Sequence, residues 1–365
     1  MRTGYAQLPL HGGKAPHWLF SRMTRLAREI VAHVVAEYGA EEMLRRLSDP
    51  FWFQAFGCVL GFDWHSSGVT TTTCGAVKEG IKGLERDLGF YAAGGKGGVS
   101  RHTPAEVTAA CAALGRNPGP LVQASRLSAK VDSAAVQDGY QLYHHAFFFT
   151  ASGRWCVVQQ GMNETNRMAR RYHWLGERVD DFCCEPHAAV CCDARGTPVL
   201  NLVAAESAPV RTISTTLAAQ SPERTLHELR HVPELLLPAR HAVRWEDVDP
   251  RHLEKILLRT YERQPATYAE LLFIEGVGPK TLRALALVAE LIYGSPASTR
   301  DPARFAFAHG GKDGTPYPVD RPTYDRTIQM LHDALNRAGV ERSEKVWAFR
   351  RLAALEAPAD AGEAE

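Results

Sequence analysis

Four short apolar runs, at residues 143–150, 155–160, 188–193 and 198–203, are bounded by turn residues, and no comparable run occurs beyond Pro209. Runs of this length read as buried strands, so any sheet must come from one middle stretch of the chain, and the C-terminal remainder must pack as helices. Ala151-Ser152-Gly153-Arg154 joins the first two runs and Ala194-Arg195-Gly196 the last two, which predicts two hairpins.

Around that stretch the apolar period is helical. Leu19, Met23, Leu26, Ile30 and Val34 recur at helix spacing up to Gly39, residues 40–47 read as a shorter helix, and Ser48-Asp49-Pro50 breaks the pattern. An aromatic, glycine-containing segment at 51–61 leads through Asp63-Trp64-His65-Ser66-Ser67-Gly68 into a helix expected to begin near Cys74. A second glycine loop at 94–98 precedes a helix at 104–114, and residues 163–175, with Arg167, Arg170 and Arg171, read as helix between the hairpins. Downstream helices are expected at 222–231, 250–263, 267–273, 279–292, 322–338 and 343–355. Four of these open at proline, which suits the first helical position. A chain of 365 residues has room for about two domains. The expectation is an α/β or α+β N-terminal domain over 1–212, an all-α domain over 213–355, and a disordered acidic tail over 356–365.

Forty-two basic and forty-one acidic side chains leave a net charge of +1, which excludes whole-molecule attraction to a polyanion; any nucleic-acid site must be local. No apolar stretch approaches a membrane span and the N-terminus has no secretory h-region, so a cytoplasmic protein with no membrane partner is expected. The eight cysteines end at Cys192 and include the adjacent pairs Cys183-Cys184 and Cys191-Cys192, a pattern of reduced thiols.

The most specific local motif is Ile274-Glu275-Gly276-Val277-Gly278-Pro279-Lys280-Thr281. Gly276 and Gly278 are expected to turn the backbone with positive φ, and the helix opening at Pro279 would present free N–H groups to a phosphate. Lys280 would add a charge and Thr281 a hydroxyl, without distinguishing one base from another. The segment resembles the helix-hairpin-helix motif of DNA repair and recombination proteins. In the DNA glycosylases of that class that also cleave the backbone, a lysine in this context attacks the sugar and a later aspartate assists. Lys280 and Asp320, in Val319-Asp320-Arg321-Pro322, stand at the similar places here. No cysteine lies beyond Cys192, so the iron–sulfur cluster of many such enzymes is not expected.

In the N-terminal part, Asp63, His65, Lys130, Asp132, Asp138, His144 and His145 are polar groups between apolar flanks, which makes them candidate catalytic residues of a cleft. One reading is a nuclease in which Asp63, Asp132 and Asp138 hold a divalent Mg or Mn ion, a histidine serves as ligand or base, and Lys96 or Lys130 neutralises phosphate. His144 and His145, adjacent on a strand, must face opposite sides of the sheet. Asp132 and Asp138 equally fit turn caps. Arg170 and Arg171 are further candidates for DNA contact.

Segments 8–16, 46–73, 130–145, 157–163 and 169–175, with the hairpin at 275–281, together resemble the archaeal and bacterial family catalogued as domain of unknown function 763. The resemblance spans nearly the whole chain. It implies a common fold and an intracellular role without selecting a reaction. The residues then leave three readings: a DNA-processing protein acting as a metal-dependent nuclease in repair or recombination, a glycosylase or lyase centred on Lys280 and Asp320, and a non-catalytic DNA-binding adaptor.

Overall fold

The computed structural model describes residues 8–10, 15–63, 65–192, 199–231, 250–303 and 321–356. Asp320, the expected tail beyond Glu356 and the expected turn at 194–196 lie outside them.

The N-terminal helices are α1 (His17–Tyr38), α2 (Ala40–Ser48), α3 (Pro50–Leu60) and α4 (Gly68–Gly80). Gly39 ends α1 with φ +88° and its N–H on the Val35 carbonyl. Ser48-Asp49-Pro50 is a junction of two helices: the Asp49 side chain caps α3 by accepting from the Trp52 N–H, and Pro50 takes the first helical position. The aromatic, glycine-containing segment at 51–61, to which the sequence assigns no element, is mostly helix. Every residue from Phe51 to Leu60 is buried, and a helix apolar all round carries no period to read. The next helix begins at Gly68, six residues before the expected start near Cys74.

After the single turn α5 (Glu85–Leu88) come β1 (Phe90–Lys96), α6 (Thr103–Ala113), α7 (Gly119–Lys130) and a π-helical turn, Val131–Ala135. The strands β2 (Val136–Gln137), β3 (Gln141–Thr150), β4 (Trp155–Asn163), β5 (Met168–Leu175), β6 (Ala189–Cys191) and β7 (Leu200–Asn201) come next. An antiparallel sheet runs β1-β3-β4-β5-β6, and β2 pairs with β7 separately. The predicted β3–β4 hairpin is present. Two other expectations are overturned. Residues 163–175 are not a helix, because Met168–Leu175 is strand β5, fully paired to β4. The second hairpin does not form either, since β6 pairs with β5 and β7 with β2.

Helices α8 (Ala208–Ala219), α9 (Pro222–His231), α10 (Pro250–Arg263), α11 (Tyr268–Phe273), α12 (Pro279–Leu291), α13 (Arg321–Arg337) and α14 (Arg342–Glu356) complete the described chain. The sheet is covered on both faces. Phe147, Phe149, Val157, Tyr172 and Trp174 pack with α6, α7, α8 and α10–α12, while Ala146, Phe148, Cys156, Val158 and Leu175 pack with α1–α4, α13 and α14. Each fully buried Phe or Leu on either side contributes roughly 1.5–3 kcal/mol. Helices from beyond residue 212 thus share buried clusters with the N-terminal part, on opposite faces of one sheet.

Candidate nucleic-acid interface and interior polar networks

The motif at 274–281 joins α11 to α12. Thr267 caps α11 by accepting from the Glu270 N–H at 3.2 Å. Val277 is fully buried beneath the turn, and its N–H bonds the Ile274 carbonyl at 3.1 Å. Gly276 has φ +92°, the left-handed conformation glycine favours. Gly278 does not: its φ of −141° and ψ of −172° are extended, so the expected positive φ holds for one glycine of the pair. Glu275, Gly276, Pro279 and Lys280 are exposed, whereas Thr281 is buried and offers no surface hydroxyl for the expected phosphate contact.

Cations from two other elements, α7 and α10, converge on this turn. Lys130 at the end of α7 donates to the Val277 carbonyl at 2.7 Å. Burial and the neighbouring Arg126 both lower its pKa. Arg126 stands 5.4 Å from the Phe273 ring centre, and Arg259 of α10 reaches the Glu275 carbonyl at 3.5 Å. Gln137 donates to the Pro279 carbonyl at 2.9 Å and accepts from Arg283 at 2.8 Å. Glu275 is the one carboxylate within the turn itself. Lys130, a candidate for the cleft on sequence grounds, thus belongs to the hairpin. The signal that locates Arg126 is its i−4 spacing from Lys130, which puts both on one face of α7.

The sheet register aligns polar residues in two rows. Lys96, His144, Gln160, Arg171 and Cys191 are successive partners across β1, β3, β4, β5 and β6, and His145, Gln159 and Tyr172 form the adjoining row. In the first row Gln160 donates to the Ser67 carbonyl and to the Tyr143 hydroxyl and accepts from Thr70. Arg171 donates to Gln54 at 2.7 Å and lies 4.6 Å from the Phe53 ring centre. It is fully buried, so the expected DNA contact by Arg171 is not open to a ligand in this structure. His144 is buried with no hydrogen-bond partner on either ring nitrogen; burial, followed by His145 and Lys96, drives its pKa down to about 3.

The second row is hydrogen-bonded throughout. His145 Nε2 meets Ser125 Oγ at 2.9 Å and its Nδ1 meets Gln159 Oε1 at 2.8 Å. Gln159 and Trp174 both donate to Asp132 Oδ2, at 2.5 and 2.9 Å, and His187 Nε2 contacts the other carboxylate oxygen. Asp138 accepts from Arg170 at 2.8 Å, from the Tyr172 hydroxyl at 2.7 Å and from the Tyr140 N–H at 3.1 Å. Burial pushes the Asp138 carboxyl upward, and those three donors oppose it. Arg170, also fully buried, holds Asp301 through both terminal nitrogens at 2.9 Å and is likewise closed to DNA. Burial works against its charge, but Asp138 foremost keeps the guanidinium protonated.

Asp63 lies elsewhere. It is exposed on the wall of a cleft of about 1290 Å³ that runs between α1, α4 and the β1 end of the sheet. Phe20, Phe62, Ser66, Lys96 and Tyr143 also line this cleft. His65 is half-buried in the same loop as Asp63. Asp63 is thus remote from the networks that hold Asp132 and Asp138, and no group of three or more metal-ligating side chains forms among the described residues. The adjacent cysteine pairs with His187 make no such group either, and all eight cysteines are free thiols. None of the helices among the described residues is long and apolar enough to cross a membrane.

No curated protein and no solved structure matches the chain. Residues 4–319 match the family described as "Protein of unknown function (DUF763)". That match takes in the sheet, both polar rows and the α11–α12 turn with its ring of cations, and the chain therefore belongs to that family.

Proposed function

We propose that this protein binds DNA through the phosphate backbone at the α11–α12 turn, as a helix-hairpin-helix module. The observation that carries the reading is the convergence of Lys130, Arg126, Arg259 and Arg283 on a turn whose own Lys280 is exposed at the start of a 13-residue helix. Free N–H groups at that helix start and the surrounding cations favour an anion, and neither reads a base. Pro279 adds a fixed φ and leaves the half-buried backbone of Gly278 within reach of a phosphate.

DNA binding without catalysis at the hairpin is the form that the geometry favours. The Schiff-base reading needs Lys280 to be desolvated, yet it is exposed, and its partner Asp320 is outside the described residues. A nuclease using Asp63, Asp132 and Asp138 needs carboxylates gathered on one ion, whereas two are spent on interior hydrogen bonds and the third faces a separate cleft. The test is titration of labelled duplex DNA at several salt concentrations, with wild type and Lys280→Glu. Binding that weakens steeply with salt, with a shallower slope in the variant, supports the reading. A salt-insensitive or absent interaction in the wild type ends it. Incubation of the same duplex with manganese or chelator reports on cleavage separately.

A further inference from the structure

Helices α1 and α14 meet in opposite directions. Glu344 accepts from Arg25 at 2.6 Å and lies 3.4 Å from Arg22, while Leu19 and Arg351 meet beside Gly61, where an added Cβ would stand 3.4 and 3.8 Å from them. This arrangement brings two exposed tryptophans to the same pair of helices: Trp18 is 61% exposed and Trp347 is 59% exposed. Each has an arginine over one face. Arg22 lies 5.6 Å from the Trp18 ring centre and Arg350 lies 5.3 Å from the Trp347 ring centre.

A tryptophan left this open usually marks a contact surface, because covering its apolar area is favourable. The charge around the rings names the kind of partner. Arg22, Arg25 and Arg350 are exposed cations, and the carboxylate between the helices, Glu344, is only 14% exposed and already held by two of them. Alternating ring and guanidinium, with net positive charge, suits a chain of bases joined by phosphates: a base stacks on the free ring face and the phosphate meets the arginine. A duplex hides its base faces, so the chemistry selects an unpaired strand. On α1, His17 and Leu19, the sequence neighbours of Trp18, help to line the cleft.

We propose that the Trp18–Trp347 surface of α1 and α14 is a stacking platform for single-stranded nucleic acid, separate from the backbone contact at the α11–α12 turn. It does not rest on the hairpin reading, since none of its residues belongs to that turn.

The experiment uses the full chain and fluorescein-labelled oligothymidylate of about 16 nucleotides, within the usual site size for such binders, with anisotropy as the readout. An abasic strand of the same length and duplex DNA serve as comparisons. The wild type is expected to bind oligothymidylate at least tenfold more tightly than the abasic strand, and Trp18→Ala/Trp347→Ala to lose about tenfold or more for oligothymidylate. Duplex binding by that variant should be unchanged, and Lys280→Glu should leave the preference for oligothymidylate over the abasic strand intact. Both tryptophans are exposed, so matching thermal melts will separate lost binding from lost fold; Arg22→Glu/Arg350→Glu is a second variant expected to lose the strand while keeping both rings. Equal binding of abasic and thymidylate strands, or an unchanged double-tryptophan variant, overturns the proposal. So does a surface that ignores oligothymidylate and binds only vesicles of phosphatidylserine and phosphatidylcholine.

Discussion

The Lys130 ammonium donates to the Val277 carbonyl at 2.7 Å across 147 residues of sequence. Lys130 closes α7 on the flank of the sheet, and Val277 is the buried centre of the α11–α12 turn. Together with the bonds of Gln137 to Pro279 and Arg283, this hydrogen bond ties the α11–α12 turn to the elements beside the sheet, and it fills a carbonyl that the turn would otherwise leave over.

Lys130→Met keeps the stem and removes the charge. It should cost about 1.5–3 kcal/mol, the usual range for losing a hydrogen bond made by a charged group. The pH dependence has a definite sign. Lys130 loses its proton more easily folded than unfolded, so its own contribution to stability rises with pH from the folded value toward about 10.5, where the unfolded lysine titrates. Between about pH 7 and pH 10.5 the urea stability of the wild type relative to the variant should rise, since the buried cysteines and tyrosines titrate alike in both; parallel curves would refute it.

Asp138→Asn tests the interior pair. The substitution takes one carboxylate away from the buried, charged Arg170, which Asp301 continues to hold. Removing one member of a buried ion pair costs on the order of 3–5 kcal/mol. Asp301→Asn, whose side chain is partly exposed, should cost less. Because Arg170 ties down the segment after α12 through Asp301, limited proteolysis should cut near residue 301 sooner in D301N than in the wild type. Equal stability of the two variants would mean that Arg170 is not the anchor.

Most of the helices were readable from an apolar stripe along one face, and the β3–β4 hairpin from two continuous apolar runs on either side of a turn, since both of its faces are buried. β5 was not. In Met168–Leu175 both faces are buried, so alternation gives no apolar stripe, and Arg170 and Arg171 look like surface positions until Asp138 and Gln54 are seen to receive them. The metal triad failed for the same reason. Buried carboxylates appear in a sequence as candidate ligands, but Asp132 and Asp138 are consumed by Trp174, Gln159, Tyr172 and Arg170, partners set by sheet register rather than by spacing. The hairpin turn, a local feature, was legible apart from the backbone of Gly278 and the burial of Thr281.

Three buried imidazoles make the fold sensitive to acid. His144, His145 and His173 all have pKa values depressed chiefly by burial, His144 to about 3. In the unfolded chain each takes a proton near 6.5. Stability is thus fully present above that value and falls as pH drops below it, by up to about 1.4 kcal/mol per pH unit for each imidazole. His144→Leu should reduce that slope by one proton. At neutral pH it should cost little, since neither ring nitrogen has a hydrogen bond to lose. Denaturant midpoints at pH 7.5 and 4.5 give both quantities, and a variant with the wild-type slope would show that His144 is not among the groups that resist protonation.

Gly276 and Gly278 separate fold from binding. Gly276 has φ +92°, so Gly276→Ala forces a side chain into the left-handed region at about 1–2 kcal/mol and disturbs the turn together with any ligand. Gly278 is extended, and the nearest atom to an added Cβ is the Gly276 carbonyl oxygen at 3.9 Å. Gly278→Ala should therefore fold normally and gain roughly 0.4–1 kcal/mol from a less flexible unfolded chain. Its methyl group would nonetheless stand where a phosphate must approach the backbone at the start of α12. The expected outcome is an equal or higher melting temperature with weaker duplex binding, measured on one protein preparation. If Gly278→Ala binds DNA as well as the wild type does, the phosphate does not approach the backbone there, and the surrounding cations alone must hold it.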